Sequence, residues 1–563
     1  MKLKKKYKLG IAIILGLVII LFGASLLISS LISKKVVDML ANQKNENYHL
    51  SIDKTKFSLF DRSMVINEIH LSPSDSSMIK LKKNLSHLNS LNQISISRIE
   101  IRGIHLFPLV FSKKLIISKL IIDDPVYQKF NNGKKIKSVE KKKPVKLDSI
   151  VIKDIAGFEL DVIKVSNLKV QVIEVATDKI TFENKPMSFE MSGFKLEEVG
   201  DQVFELLSVD GDFEMSSIDM NFPDKKYNFS LGKLQYNLEA DQWLIKNLVY
   251  KPSINKAKLA NSYPFNSEVY TMDFKEIKIF KLDLQKILQN KGVFMDSLQI
   301  SQFSIDIYKD KRKPFDENKR PEYPHDLLKK MEFPILIPKI SIAGSQLSYE
   351  EKLVKKGASM KVTLNDLNIN IHNATSIKEY REESLKIEMN CKFMNKTPLY
   401  VQMNLPLKDS QNTFYFSGKL GASPFKYYDS VLIPALGAKI TNGDLNSLTF
   451  QASANRYSSE GTMTMLYSNL EAEVLKQNNA EKRGFVSWSV NSLVHKSNPG
   501  NNGHEREVMM NFDRVNYKGF GNVLWKTLQS GIVNTIAPFG RTKEKADAKK
   551  QKHEKRDEKK HKK

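Results

Sequence analysis

The chain has 563 residues, of which 41% are hydrophobic and 27% charged, so its composition excludes a wholly disordered protein. The net charge is +25, but the 88 basic residues comprise 76 Lys and only 12 Arg. Because base readout and bidentate phosphate clamps favour Arg, we interpret the charge as a Lys-rich solvated surface and expect no nucleic-acid partner. The single cysteine, Cys391, excludes an intramolecular disulfide and is expected to be a small buried hydrophobic residue.

The N-terminus predicts a membrane anchor. A basic segment, 1–8, precedes an uncharged run of 24 residues from Leu9 to Ile32, and about 20 residues suffice for a helix to cross a bilayer core. We predict a transmembrane helix over 9–33, with the N-terminus in the cytoplasm and the bulk of the chain on the other side. A cleaved signal peptide is the alternative, but its apolar core is usually about 7–15 residues. The predicted anchor residues are Leu9, Ile14, Leu21, Phe22, Leu27 and Ile32.

The sequence after the predicted anchor indicates many β-strands. Apolar and polar residues alternate repeatedly, as in LSIDKTKFSLF from Leu50 and ISISRIEIRGI from Ile94. A period of two with Ile, Val, Phe and Tyr at the apolar positions is typical of half-buried strands. The fold class is therefore mainly β: an elongated, twisted antiparallel sheet or β-groove of repeated strand units with a few short helices. The glycines interpreted as turns are Gly103, Gly157, Gly232, Gly344, Gly418 and Gly443.

One strand unit occurs twice. In the first copy a strand, a connector, a strand pair ending after Tyr127 and a Lys-rich loop precede a further strand. The second copy follows the same order, with Tyr308 before its charged loop. The order predicts internal duplication, although independent hairpins with similar turn chemistry give the same impression. We predict that both charged loops, 129–146 and 309–330, are solvated hairpin ends, with headgroup binding as the alternative.

Helical periodicity is limited to two segments. The first is IFKLDLQKILQNKG, which follows Glu276 and ends at Gly292. The second lies at 521–540 and carries an apolar stripe, an aromatic residue and trailing lysines, which favour a helix on an anionic membrane surface. A helix that covers an open sheet edge is the alternative. The residues of the predicted membrane-surface helix are Leu524, Trp525, Leu528, Ile532 and Ile536.

These patterns predict a succession of regions. A first β-repeat region covers 34–270 and a second covers 271–520, followed by the helix at 521–540 and a disordered Lys-rich tail at 541–563. A sheet of about 25 strands spaced about 4.8 Å apart would be on the order of 120 Å long. One apolar face of that length has to close on itself, pack against another layer or hold something apolar.

No motif indicates catalysis. The ten His residues are scattered, and no H-E-x-x-H, G-x-S-x-G or P-loop occurs, so we expect no metal, no cofactor and no enzymatic activity. GFGN at Gly519 lacks the third glycine of a dinucleotide motif and is interpreted as a turn into the last helix. An enzyme acting through some pair of the scattered carboxylates is a further alternative.

The order of these features resembles the AsmA-like family of Gram-negative envelope proteins, which is related in architecture to bridge-like lipid-transfer proteins. The resemblance is carried by the anchor, by YHLSIDKTKFSLFDRSMVINEIHLSPSD and by ISRIEIRGIHLFPLVFSKKLIISKLIIDDPVYQKF. It continues in the late stretch from Phe414 to Val474, which has a short helix near Pro434 and the glycines Gly443 and Gly461. It covers most of residues 1–540, whereas the Lys-rich tail departs from the family.

The resemblance implies a single-pass inner-membrane protein whose bulk lies in the periplasm of a Gram-negative-type envelope. It further implies a β-groove that holds phospholipid acyl chains, conveys lipids between the envelope membranes and supports outer-membrane biogenesis. The implied partners are phospholipids, the inner membrane and outer-membrane or other envelope proteins. The alternative is a non-enzymatic scaffold or assembly factor whose apolar face packs dry against protein.

Overall fold

A computed structural model of the protein describes residues 47–83, 90–112, 114–132, 157–198, 204–209, 213–215, 218–221, 226–237, 239–288, 291–354, 359–436, 438–474, 494–501, 503–537, 540–544 and 546–547. The protein is mainly β with few helices, as the sequence predicts. It divides into two compact units, Met1–Leu248 and Val249–Lys563. The predicted anchor lies outside the described residues, and no helix within those residues is long and apolar enough to cross a membrane.

The first unit contains strands β1 to β14 and two short helices, α1 (Asp75–Lys82) and α2 (Leu106–Ser112). The strands are β1 (Tyr48–Ser58), β2 (Ser63–Pro73), β3 (Ser90–Ile104), β4 (Lys114–Asp123), β5 (Val126–Asn131), β6 (Gly157–Glu174), β7 (Lys179–Asn184), β8 (Met187–Glu198), β9 (Phe204–Val209), β10 (Phe213–Met215), β11 (Ile218–Asn221), β12 (Tyr227–Leu231), β13 (Lys233–Asn237) and β14 (Gln242–Pro252), in which the boundary between the units falls.

Strand pairing in the first unit follows chain order. β1, β2 and β3 form an antiparallel meander, and β4 and β5 pair in line along the far edge of β3. Both β4 and β5 pair with β6 in parallel, which is the exception to the predicted antiparallel sheet. From β6 the antiparallel order resumes through β8, β10 and β13 to β14.

The second unit contains strands β15 to β26 and helices α3 to α7. The strands are β15 (Glu268–Phe280), β16 (Val293–Phe294), β17 (Ser297–Asp310), β18 (Ile335–Lys352), β19 (Ser359–Thr375), β20 (Leu385–Phe393), β21 (Thr397–Leu405), β22 (Phe414–Leu420), β23 (Ser423–Pro424), β24 (Ala438–Ala454), β25 (Ser458–Val474) and β26 (Glu507–Asp513). The helices are α3 (Lys256–Ser262), α4 (Leu284–Leu288), α5 (Pro324–Lys330), α6 (Asp429–Leu436) and α7 (Phe520–Ile536), with 3-10 turns at Lys378–Tyr380 and Phe425–Tyr428.

Pairing in the second unit is again sequential. β15 pairs antiparallel with β17, and β17 pairs in parallel with β18. An antiparallel meander then runs from β18 through β19, β20, β21 and β22 to β24, β25 and β26. The segment predicted to be helical, from Ile279 to Gly292, is helical only in part, since β15 continues to Phe280 and α4 covers Leu284–Leu288.

The two predicted repeat copies share one topology. In each copy, a strand is followed by a short helix (α2 or α4) and by a second strand that pairs antiparallel with the first. A long connection then leads to a third strand, which pairs in parallel with the second. Parallel neighbours need a crossover rather than a tight turn, which explains why both copies carry a long connection at the same place. The charged connections are therefore crossovers and not hairpin ends, and the prediction of hairpin ends was wrong.

The second crossover is also not a solvated loop. Tyr323, at its centre, is 1% exposed, and its hydroxyl donates to the Asn455 carbonyl at 2.9 Å. The guanidinium of Arg514 lies 4.2 Å from the centre of the Tyr323 ring. The next residues after Tyr323 form α5, which contributes the fully buried His325. This crossover is thus part of the core, whereas residues 133–156 of the first crossover lie outside the described residues.

Several glycines interpreted as turns lie inside strands. Gly103, Gly344 and Gly443 have positive φ values of 67°, 57° and 119° within β3, β18 and β24. Glycine adopts this region without strain, and at Gly344 and Gly443 the ladder has the register shifts of bulges. Gly418 instead lies in the middle of β22, where an added Cβ would stand 2.6 Å from Cζ of Phe450. The turn interpretation was therefore wrong at these four positions.

Helix α7 covers the free edge of β26. The Ser530 hydroxyl accepts from the backbone N–H of Asn511 at 3.0 Å, and the Asn534 side chain donates to the Met509 carbonyl at 2.8 Å. The Met509 N–H donates to the carbonyl of Arg541 at 2.9 Å, so the start of the Lys-rich tail also lies beside this strand. An open strand edge invites pairing with other chains, and these contacts use its exposed backbone groups.

Gly531 sets how closely α7 approaches the sheet. An added Cβ would lie 2.7 Å from Cγ of Met510 and 2.9 Å from Sδ of Met463. We expect Gly531→Ala to lower the free energy of unfolding by about 1–3 kcal/mol through overpacking. Gly521→Ala, on the same helix with no atom within 4 Å, is the control and should be neutral or stabilising. Equal thermal unfolding curves for the two variants would contradict this packing.

Candidate functional site

Apolar side chains of the second unit line up in rows across the sheet. A row consists of residues that are directly paired from one strand to the next. Two such rows lie two residues apart along the strands, and side chains at that spacing share one face of the sheet. The first row is Ile277, Ile300, Ile342, Ile369, Met389, Val401, Gly418, Phe450, Met463 and Val508. The second row is Ile279, Leu298, Ile340, Ile371, Ile387, Met403, Phe416, Ala452, Gly461 and Met510.

The two rows are sealed at the end near β26. Met463 is 1% exposed, and Val508 and Met510 are 0% exposed. Helix α7 packs over them, and α6 with the preceding 3-10 turn packs nearby against β24. This end of the face is an ordinary dry core.

At the other end the same rows are only half-buried. Every row residue on β15, β17 and β18 has intermediate exposure, including Ile277, Ile300 and Ile342. The part of the face formed by β15, β17, β18 and β19, referred to below as the open face, joins a cluster around Phe303, which stacks on Phe274 at 5.4 Å between ring centres. Four strands at about 4.8 Å spacing give it a width of about 15 Å. Helix α6 contacts β19, and α3 contacts β15 and β17, while the row residues of β15, β17 and β18 keep their intermediate exposure.

Bulges keep the open face apolar over its whole length. Gln302 has a φ of 53° within β17, and there the apolar positions step by three residues, from Ile300 to Phe303, without changing the face, while the pairing with β15 keeps its register. Gly344 and Asp366, with φ of 57° and 49°, mark register shifts in β18 and β19. Without these bulges a strict period of two would turn half of each strand's apolar residues to the opposite side.

The first unit carries an equivalent row. It crosses nine strands and is half-buried except at Ile66 and Val165, where the side chains are buried. Eight intervals of about 4.8 Å make it about 40 Å long. Its members are Thr55, Ile66, Ile99, Ile122, Val165, Phe189, Met215, Leu234 and Ile245.

Charged groups stand at one end of the open face, beyond its apolar residues. The Lys309 ammonium lies 2.7 Å from Oε1 of Glu268. Burial alone would raise the pKa of Glu268, but this ion pair outweighs it and the pKa is lowered. Tyr349 donates to Glu351 at 2.6 Å, and burial together with that hydrogen bond raises the pKa of Tyr349. The apolar surface thus ends in an ion pair and a hydrogen-bonded carboxylate, which keep this end of the strands polar.

The predicted membrane-surface residues lie on α7. Leu524, Leu528, Ile532 and Ile536 are partly buried and pack against the core of the second unit. Trp525 is 46% exposed and is the member of the set that remains accessible. The apolar stripe that suggested membrane contact therefore packs against the sheet. The hydrogen bonds of α7 fit the alternative from the sequence, a helix that covers a sheet edge. Cys391 is buried, as predicted.

His325 on α5 has a strongly lowered pKa. It is fully buried between the rings of Tyr323 and Phe414, and its Nε2 lies 3.3 Å from the carbonyl oxygen of Asn412, to which it donates. Burial, reinforced by the nearby Lys329 ammonium, lowers the pKa of His325 to about 4. The imidazole is therefore neutral at pH 7 and serves packing.

We expect the stability of the second unit to fall as the pH drops from about 6.5 to 4. The unfolded chain binds the His325 proton near its ordinary pKa of 6.5, whereas the folded chain resists it until about 4. The loss contributed by this group is on the order of 3 kcal/mol and stops below the folded pKa. Urea unfolding at several pH values should show a shallower pH dependence for His325→Gln than for the native chain. Identical pH profiles would contradict a neutral buried imidazole.

No group of three or more His, Cys, Asp or Glu side chains that could hold a metal occurs within the described ranges. Sequence reasoning found the apolar strands but not which part of the face is left open, because the cover comes from segments distant in sequence. In comparisons with protein-family models and with curated protein sequences, no significant match to this chain is found.

Proposed function

We propose that the chain binds phospholipid acyl chains on the open face of the second unit and on the apolar row of the first. The observation that carries the proposal is a contrast within one sheet. The same two apolar rows are dry core at β25 and β26 and half-buried at β15, β17 and β18. Exposed contiguous apolar surface of this kind is typical of sites that bind lipids, membranes or proteins.

The dimensions support lipid as the ligand. The hydrocarbon core of a bilayer is about 30 Å thick, so one leaflet's acyl chains span about 15 Å. The open face is about as wide, and the row of the first unit is more than twice as long. An acyl chain lying along either row would exchange water for Ile, Leu and Phe side chains, which stabilises binding by about 25 cal/mol for each Å² of apolar surface covered.

The predicted anchor at Leu9–Ile32 supports a place beside a membrane that supplies the lipid. We therefore propose a single-pass protein of the inner membrane that conveys phospholipid in the periplasm and supports outer-membrane biogenesis, without catalysis. A scaffold that packs the same face against an envelope protein is the second candidate, and the half-buried surface is the observation that favours it too.

Site-specific crosslinking separates the two candidates. A photoreactive benzoyl-phenylalanine would replace Ile300, on the open face, or Ser301, the next residue on the opposite face of β17. The full chain would be irradiated in cells grown with radiolabelled phosphate and then purified under denaturing conditions. Lipid binding predicts a radiolabelled phospholipid adduct at position 300 and little at 301. A protein adduct at 300 without lipid would support the scaffold and overturn the lipid proposal.

A further inference from the structure

A cavity of about 410 Å³ lies at one end of the second unit's sheet, where the β19–β20, β21–β22 and β24–β25 connections meet helix α5. Four segments that are far apart in the sequence contribute to its lining. Five lining side chains are cationic and two are anionic: Lys329, Lys378, Arg381, Lys408, Arg456, Asp326 and Asp409.

The two carboxylates of the cavity already have partners. Asp326 lies 3.3 Å from the ammonium of Lys330, which is outside the lining. Asp409 accepts the backbone N–H groups of Thr413 and Gln411 at 2.7 Å and 2.9 Å, and the hydrogen bonds to Thr413 and Gln411 lower its pKa although burial opposes this. They therefore offset the surrounding cations only in part.

Several cations of the cavity are poorly compensated. Lys408 pairs with Glu382, whereas Lys378 is exposed and has no ion pair among the described residues. Arg456 reaches Asp326 only at 3.5 Å. Nη2 of Arg381 donates to the carbonyl of Lys329 at 3.0 Å, which fixes the guanidinium, while its buried Nε has no hydrogen-bond partner in the part of the chain that the structure describes.

The pKa of Lys329 reflects this excess of positive charge. Its ammonium donates to the carbonyl of Asp409 at 2.8 Å. Burial, together with repulsion from the cations Arg456 and Arg381, lowers the pKa of Lys329, although Asp326 and Asp409 act in the opposite direction. An anion placed among these groups would reduce that repulsion.

We propose that this cavity binds a phosphate group, held by Lys378, Arg381 and Arg456. Phosphate carries between one and two negative charges at pH 7 and offers three strong acceptor oxygens. It therefore suits a site of Arg and Lys side chains better than a carboxylate ligand would. The phosphate belongs either to a lipid headgroup or to a free phosphate ion. The inference depends on the charge and geometry of the cavity and not on the acyl-chain proposal.

The test compares two double variants of the full chain, purified in detergent. Lys378→Gln with Arg456→Gln removes two cavity cations whose side chains are exposed, so folding should be retained. Lys386→Gln with Lys439→Gln removes the same charge from exposed lysines outside the cavity. Binding of radiolabelled inorganic phosphate and of a water-soluble short-chain phosphatidic acid is measured by equilibrium dialysis, with thermal unfolding as the folding control.

We expect the cavity variant to bind phosphate more than about tenfold more weakly than the native chain, because two charge-assisted hydrogen bonds are lost, and the control to be unchanged. Short-chain phosphatidic acid binding more tightly than phosphate, with phosphate competing, would identify a lipid headgroup. Equal affinities would identify a free phosphate ion. Equal phosphate binding by the two variants, or none by the native chain, would overturn the proposal, whatever the adduct at position 300 shows.

Discussion

Replacing Ile300 or Ile342 with Asp is expected to abolish phospholipid crosslinking on the open face. Both side chains are half-buried members of the first apolar row and pair with each other across β17 and β18. A carboxylate there turns to water when the face is empty, but an acyl chain would have to cover and desolvate it. Desolvation of an unpaired charge costs several kcal/mol, and each 1.4 kcal/mol is a factor of ten in affinity. The adduct should therefore fall by more than about tenfold.

The measurement places the photoreactive residue at Leu298, on the same face, and compares Ile342→Asp with Ser341→Asp. Ser341 is the preceding residue of β18 and lies on the opposite face, between Gln299 and Asn370 in the registers. Ser341→Asp introduces the same charge in the same strand and should leave the lipid adduct unchanged. Equal labelling of both variants, with thermal unfolding close to that of the native chain, would show that lipid does not occupy these rows.

Local patterning predicted the strands and their faces well. The segment LQISQFSIDIY reads as alternation, and the structure contains it in β17, Ser297–Asp310. The alternation breaks once, at Gln302, and this break in the period is the sequence signal of the positive-φ residue that keeps Phe303 on the apolar face. The presence of a strand and the face on which each side chain lies depend on residues that are adjacent in the chain. Both can therefore be predicted from a single sequence.

Pairing direction and cover could not be predicted in the same way. Nothing in the alternation of β17 and β18 distinguishes a parallel neighbour from an antiparallel one, since both strands show the same period. Whether an apolar row is dry or open depends on segments such as α7 that lie some two hundred residues away from the open face. The basic cavity likewise combines Lys378, Arg381 and Arg456 from separate connections. Such sites become visible only when the strand order is known.

The sealed end of the sheet should be far more sensitive to truncation than the open face. Phe414 is 0% exposed, and the centre of its ring lies 5.2 Å from those of both Tyr323 and Phe520. It therefore joins β22 to the second crossover and to helix α7. Loss of a buried Phe side chain typically costs 3–5 kcal/mol, so we expect Phe414→Ala to lower the stability of the second unit by about that amount.

Ile300→Ala, on the open face, should cost no more than about 1–2 kcal/mol, because a half-buried side chain gives up less burial and leaves no closed cavity. Tyr415→Ala is the matched control beside Phe414, since Tyr415 lies on the opposite face and is 53% exposed. Urea unfolding of the full chain can be followed through Trp525 after Trp243 and Trp488 are replaced by Phe. If Phe414→Ala and Ile300→Ala shift the transition equally, the distinction between a dry end and an open end of one apolar face, on which lipid binding depends, does not hold.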